Sequence, residues 1–194
     1  MIEGYIKYNT ICIGNEYPEA IQIVDLQVLR NDLKINNLIG MLPDGTGYGN
    51  VSKKWDNKII VTGSQTGGNA ILNCSDYSII HDYDILKNTL VYSGLRPPSS
   101  ETITHIAIYE AKPNTKFVSH LHNNEIWNKL IINGAKTNGL SEYGTVEIAL
   151  EAKEYVSGIT GNAGIFALSG HKDGVIAYSD GLKSIITLIH EHIK

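Results

Sequence analysis

Arginine is scarce in this chain of 194 residues: Arg30 and Arg96 are the only two, and no Lys/Arg-rich stripe stands in for the rest. A duplex or single strand is gripped through clustered positive charge, and a chain of formal charge -4 offers none, so nucleic acid is not expected as a partner. Long apolar runs are missing too. The stretches from Lys58 onward and from Ser184 to His190 fall short of the roughly 20 residues that a bilayer crossing needs, so no membrane is expected. Met1-Ile2-Glu3-Gly4 has no basic start leading into an apolar segment, which argues against a secretory leader and for the cytoplasm. Cysteine is limited to Cys12 and Cys74, far apart and in no CxxC pair, and buried thiols are the expectation. Phe and Trp occur twice each against eleven tyrosines, which are read as packing residues with a wet hydroxyl.

With 42% apolar and 19% charged residues, the chain has the composition of a packed domain and not of a disordered segment. One domain over 1–194 is expected, with no repeat, linker or low-complexity stretch dividing it. Alternation predicts a strand over 6–13. Leu26, Leu29 and Leu33 at helical spacing then predict a helix over 25–39 with Asp25 as its cap. Glycine punctuates 43–50 as a loop, and a strand over 58–61 runs into a second small-residue loop, Thr62-Gly63-Ser64-Gln65-Thr66-Gly67-Gly68.

Strands are expected over 77–83 and 89–92, and a helix over 101–110 capped by Ser99 or Ser100 and closed before Pro113. A strand over 116–122, helices over 123–132 and 145–155, a strand pair 164–168 and 174–178, and a final helix over 182–193 complete the reading. Helices alternate with short strands joined by connections of mixed length. The fold class is therefore α/β: three layers, α/β/α, around a central, mostly antiparallel sheet.

His120-Leu121-His122 is the strongest chemical signal. On a strand both side chains share a face about 7 Å apart at the backbone, a separation from which two imidazoles can converge on one ion. A metal site needs a third ligand, and a lone pair of rim histidines needs none. His171 sits in the turn Gly170-His171-Lys172-Asp173-Gly174, where glycine can aim a side chain into a cleft. Glu101 opens a helix, where the dipole alone accounts for an acid.

Taken in order, these pieces resemble the class II aldolase/adducin domain family. The resemblance is carried by Gly49-Asn50-Val51-Ser52, Ile60-Val61-Thr62, and Pro98-Ser99-Ser100-Glu101 with His105 and Tyr109 downstream. It continues through Ser119-His120-Leu121-His122-Asn123, Tyr143-Gly144-Thr145-Val146-Glu147 and Gly170 to Ala177, spanning about residues 38–190. It implies that His120, His122 and His171 bind Zn2+ or another divalent transition metal, with Glu101 as acid/base, buried and with a shifted proton affinity.

It also implies that Asn50, Thr66, Gly67, Ser99 and Ser100 receive the phosphate of a small phosphorylated sugar, with Thr62 and Ser64 as alternatives in the second loop. The implied activity is an aldolase-type lyase releasing a dihydroxyacetone-phosphate-like fragment and an aldehyde. Epimerases and dehydratases share the scaffold, and adducin-type modules keep it without chemistry. A homo-oligomer, usually a tetramer, is part of the same implication. The chain departs from the family pattern in opening on a strand, in having no tyrosine between His122 and Tyr143 to donate a proton, and in ending soon after its last helix, without the tail that closes over the aldolase site.

Overall fold

The computed structural model describes residues 5–193; the start Met1-Ile2-Glu3-Gly4, read above as no secretory leader, lies outside them. Strand β1 (Asn9–Gly14) leads to helix α1 (Ala20–Ile35) and a small hairpin of β2 (Gly40–Met41) and β3 (Gly47–Tyr48). Four strands follow: β4 (Asn50–Trp55), β5 (Lys58–Thr62), β6 (Tyr77–Asp84) and β7 (Thr89–Ser93). Then come α2 (Thr102–Ala111), β8 (Phe117–His122), α3 (Asn124–Ile132), α4 (Val146–Ser157), β9 (Gly164–Ala167), β10 (Gly174–Ser179) and α5 (Leu182–Ile193).

Eight strands form one sheet in the order β1-β7-β6-β5-β4-β8-β10-β9. Every neighbouring pair is antiparallel except β1 against β7. The period of two along the strands divides the core into two halves. Val118, Phe166 and Ile176 pack with Ile103 and Ile106 of α2 and Ile148 and Ala152 of α4. Phe117, Leu121 and Val175 face the other way, against Leu26 and Leu29 of α1, Ile126 of α3 and Ile185 of α5. The three-layer α/β/α arrangement expected from the sequence is present. No helix of the described residues is long and apolar enough to cross a membrane.

Four local expectations are corrected. Helix α1 starts at Ala20, five residues before the predicted 25, because Glu19 and Gln22 form a reciprocal capping box that outcompetes Asp25 for the role. Asp25 instead lies within the helix and pairs with the buried Lys53 of β4 at 3.2 Å. The helix also stops at Ile35, four residues early: Asn37 turns left-handed at φ +56° and the Leu38 N–H returns to the Leu33 carbonyl. Helix α2 is capped by neither Ser99 nor Ser100; Glu101 occupies the N-cap, and the Ser99 carbonyl accepts the Thr102 N–H one turn back. Cys12 is exposed, since β1 is an edge strand, and both cysteines are free thiols.

One polar chain crosses the α2 side of the core. His105 and Tyr109, one turn apart on α2, both meet Ser52 of β4: Ser52 Oγ lies 2.8 Å from His105 Nδ1 and 2.9 Å from the Tyr109 hydroxyl. All three are buried. Burial pushes the His105 pKa down to about 3, so the folded state holds this ring neutral where an unfolded chain would protonate it near 6.5. The unfolded state therefore binds the extra proton, and the stability contributed by the neutral ring is whole above pH 6.5 and lost as pH falls toward 3. The loss from this group reaches about 1.4 kcal/mol per pH unit at its steepest. Thermal unfolding followed from pH 7 to pH 4 is expected to show Tm falling below pH 6.5, with a shallower fall in His105→Gln.

Candidate active site

The sheet order explains how three histidines distant in sequence meet. His120 and His122 alternate with Leu121 on β8, so both rings leave the sheet on one face while Leu121 fills the core on the other. Strand β10 runs antiparallel beside β8 with Gly174 opposite His122, which puts the turn before β10 at the end of β8. That turn is pinned locally: the His171 N–H donates to the Leu168 carbonyl at 3.1 Å and the Gly174 N–H to the His171 carbonyl at 2.9 Å. It is then tied to the next helix, the Asn123 N–H donating to the Asp173 carbonyl at 3.0 Å and Asn124 Nδ2 to Asp173 Oδ1 at 2.7 Å. Gly174 leaves room for the ring, since a Cβ there would lie 2.9 Å from His171 Cγ and Nδ1.

The three rings form one cluster. Their centroids are 4.8, 4.8 and 5.0 Å apart, and one ligating nitrogen from each can be chosen so that all lie within 4.8 Å of one another. His120 Nε2 and His122 Nε2 are 2.9 Å apart, a distance at which two lone pairs repel unless a proton or a cation lies between them. His120 and His171 are buried and His122 is half-buried. Burial first, and then the neighbouring His122 and His171, hold the His120 pKa well below the ordinary imidazole value. A neutral ring is the form that ligates a metal.

Glu101 stands beside this cluster at the N-terminus of α2. It is buried, its Oε2 accepts from Thr104 Oγ1 at 2.8 Å, and its Oε1 lies 4.0 Å from His171 Nδ1 with no hydrogen-bond partner among the described residues. Leaving a carboxylate oxygen dry and unmatched is costly, so the cavity is shaped for a group that it does not itself provide. Three imidazoles and an adjacent carboxylate suit a divalent metal with open coordination positions.

The remaining sequence candidates line the same cavity. Asn50, opposite His120 in the β4–β8 pairing, is buried, and its Oδ1 has no hydrogen-bond partner among the described residues. Ser99, Ser100, Thr66 and Gly67 also line it. Two segments far apart in sequence are laced together here: Ser64 N–H donates to the Pro97 carbonyl, Ser99 N–H to the Thr62 carbonyl, and Gly63 bridges Pro98. Thr66 spends its hydroxyl proton on the Gly63 carbonyl at 2.8 Å, so backbone N–H groups and the Ser64 hydroxyl, also in the lining, are the donors this loop offers an anion. Gly67 is required by crowding, because a Cβ would run into the carbonyl oxygens of Tyr48 and Gly40.

Two tyrosines that the sequence reading set aside as packing residues flank the cluster. The Tyr48 ring lies 5.4 Å from that of His122, and the buried Tyr143 ring 5.2 Å from that of His171, with Lys7 Nζ 4.1 Å above the Tyr143 ring. Tyr143 had a sequence signal in the glycine that follows it: Gly144, at φ +68°, turns the chain against the Ser100 carbonyl. Tyr48 had none, lying within a run read as a glycine loop that the structure folds into the β2–β3 hairpin.

Comparison with known proteins bears on the fold that carries this cavity. Residues 43–128 match the model of the Class II Aldolase and Adducin N-terminal domain. Among solved structures, an L-fuculose 1-phosphate aldolase is 19% identical over 91% of this chain and 85% of its own, with a TM-score of 0.65. A sugar-phosphate aldolase from Thermotoga maritima is 18% identical over 89% of this chain and 90% of its own, with a TM-score of 0.63. YgbL from Klebsiella pneumoniae, named as a candidate aldolase/epimerase/decarboxylase, is 16% identical over 91% of this chain and 87% of its own, with a TM-score of 0.59. No curated protein matches the sequence.

Metal binding is directly measurable. Titration of the metal-stripped protein with cobalt(II) is expected to saturate at one equivalent per chain with a visible spectrum typical of nitrogen ligation. His120→Ala and His122→Ala are each expected to weaken that binding at least a hundredfold while far-UV circular dichroism stays that of the wild type, about the cost of one lost ligand bond.

Proposed function

We propose, for a chain that carries the class II aldolase/adducin fold, a metal-dependent aldolase-type lyase. Its substrate is a small sugar phosphate, cleaved reversibly to a dihydroxyacetone-phosphate-like fragment and an aldehyde. The observation that carries this reading is the placement of three histidine nitrogens and the unmatched Glu101 Oε1 in one cavity with Asn50, Ser99 and Ser100.

His120, His122 and His171 would hold the metal, Zn2+ by family resemblance, and the bound cation would supply Lewis-acid polarisation of the ketose carbonyl and charge compensation for the carbanionic fragment. The chain's own residues do the rest. Ser99 and Ser100 hydroxyls, Asn50 and the Gly67 backbone N–H receive the phosphate and so fix where the reacting carbons fall. Glu101, with Oε2 anchored by Thr104, uses Oε1 to take the proton that leaves the hydroxyl beside the breaking carbon–carbon bond and to deliver it to the carbon left carrying the negative charge, the reverse order serving synthesis. Packing around His120, His171 and Glu101 keeps water from competing for that proton.

Epimerisation, in which the aldehyde turns and the bond re-forms, or dehydration beside the carbonyl would use the same groups, and the likeness to YgbL keeps the first of these within this reading. A non-catalytic adducin-type module is the contrasting reading; a site that retains every histidine and the carboxylate favours the enzyme. The proposal also takes the chain as one domain, cytoplasmic, and a homo-oligomer, a tetramer by family habit.

Incubation of the metal-loaded protein with a panel of ketose phosphates is expected to yield two trapped fragments; a single isomer would indicate an epimerase and a dicarbonyl a dehydratase. Glu101→Gln is expected to keep the metal and lose roughly 10²- to 10⁴-fold in turnover, the range for a positioned acid/base. Normal turnover in that variant would remove Glu101 from the mechanism. Light scattering is expected to give a particle mass that is a multiple of 21.3 kDa.

A further inference from the structure

The cavity assigned to the phosphate contains a puzzle of charge. Its lining includes serines, Asn50, loop glycines, His120, His171 and Glu101, and no lysine or arginine of the described residues. A phosphate dianion placed there would face an acid directly and, a bound metal apart, no formal positive charge from the cavity's own side chains. Such charge lies one layer behind the loop, on α1.

Arg30 and Lys34 are four residues apart and so share one face of that helix. Arg30 is buried, and its Nη2 donates to three carbonyls of the loop: Thr66 at 3.0 Å, Gly67 at 3.3 Å and Asn69 at 2.6 Å. Lys34 Nζ donates to two, Gly67 at 3.2 Å and Gly68 at 3.0 Å. Five hydrogen bonds from two cations thus fall on the carbonyls of one four-residue segment.

In a trans peptide the N–H points opposite to the carbonyl of the same plane. No peptide bond of the described residues is cis. Drawing the Thr66 and Gly67 carbonyls toward α1 therefore turns the N–H groups of Gly67 and Gly68 away from it. Gly67 N lies toward the β2–β3 hairpin, 3.2 Å from where a Cβ of Gly47 would stand, and Gly47 and Gly67 line the cavity, with Gly68 next to them in the chain.

The two cations are also uncompensated locally. Among the described residues every hydrogen-bond partner of either is a carbonyl, and Asp76, which acts on Arg30 electrostatically, accepts from Arg96 Nε at 2.8 Å. Burial and then the nearby Arg30 hold the Lys34 pKa below its ordinary value, as expected for like charges brought together without an acid between them.

We infer that Arg30 and Lys34 are positioning residues for the anionic end of the substrate: they orient the Gly67 and Gly68 amides by holding the opposite ends of those peptides, and place two positive charges behind the loop. The inference rests on the phosphate reading of this cavity and adds the source of its charge. An acceptor whose carbonyl is polarised by a cation presents a more acidic N–H on its far side, so the charge reaches the ligand through the peptide as well as through space. The arrangement favours a dianionic phosphate over a carboxylate or a neutral sugar hydroxyl.

Calorimetric titration with inorganic phosphate of the zinc-loaded protein tests this. Arg30→Met is expected to bind phosphate at least tenfold more weakly and Lys34→Met about threefold more weakly, as removal of one charge behind a solvated loop implies. Lys34→Arg, which keeps the charge, is expected to restore wild-type affinity, and zinc affinity is expected to be unchanged throughout. In turnover, KM for the phosphorylated substrate rises while kcat stays within about twofold, the mark of lost ground-state binding. Phosphate affinities of Arg30→Met and Lys34→Met within twofold of wild type, or zinc affinity lost in parallel with phosphate, would overturn the inference. Should Arg30→Met fail to fold, the two Lys34 variants decide the matter. Wild-type protein that binds zinc but no phosphate would remove the phosphate reading and this inference with it, an outcome distinct from wild type and variants binding equally.

Discussion

Everything at this site depends on a short antiparallel register, that of β8 against β10. Two histidines on alternate positions of a strand project in parallel, and left alone they would present their rings side by side at a sheet surface. The pairing of Gly174 with His122 brings the preceding turn over the end of β8, and the hydrogen bond from Asn123 to Asp173 holds it there. A slip of one residue would send His120 and His122 into the half of the core now filled by Leu121. Because both faces of this strand are packed, the slip is opposed by the burial of Phe117, Val118 and Leu121 together, and the ligand geometry is protected by hydrocarbon that never touches it.

The site is also arranged so that charge is expensive in its centre and supplied from its edges. His120 and His105 are kept neutral by burial, and Glu101 has one oxygen matched and one bare. Formal positive charge enters from behind a peptide loop, so the wall that meets ligand is made of dipoles fixed by the fold. Dipoles held in place by hydrogen bonds on their far side need no reorganisation when an anion arrives, which is the condition for strong electrostatic complementarity in a dry cavity.

Much of this was legible in the sequence, for reasons that differ residue by residue. Strand period puts His120 and His122 on one face without knowledge of the fold, and the glycines around His171 announced a turn that could aim a side chain. The layers followed from alternation in β8 and β10 and from the leucine spacing of α1. The start of α1 was misread because Glu19 is an uncommon cap, effective here only through its reciprocal partner Gln22. Tyr48 was invisible because its strand is two residues long and its neighbours are glycines. The role of Arg30 and Lys34 has no signal in the sequence, since contacts to carbonyls leave no mark on the residue types of the loop they hold.

The lacing of Gly63, Ser64 and Thr62 to Pro97, Pro98 and Ser99 has a consequence for how this chain can change over evolutionary time. The segment between them, which contains β6 and β7, leaves one fastened point and returns to another beside it, so it forms a closed excursion from the reactive centre. Its tip at Leu86 is solvent-exposed and far from the knot along the chain. Lineages can lengthen, trim or decorate that excursion at small entropic cost, because closing the larger circuit has already been done at its base.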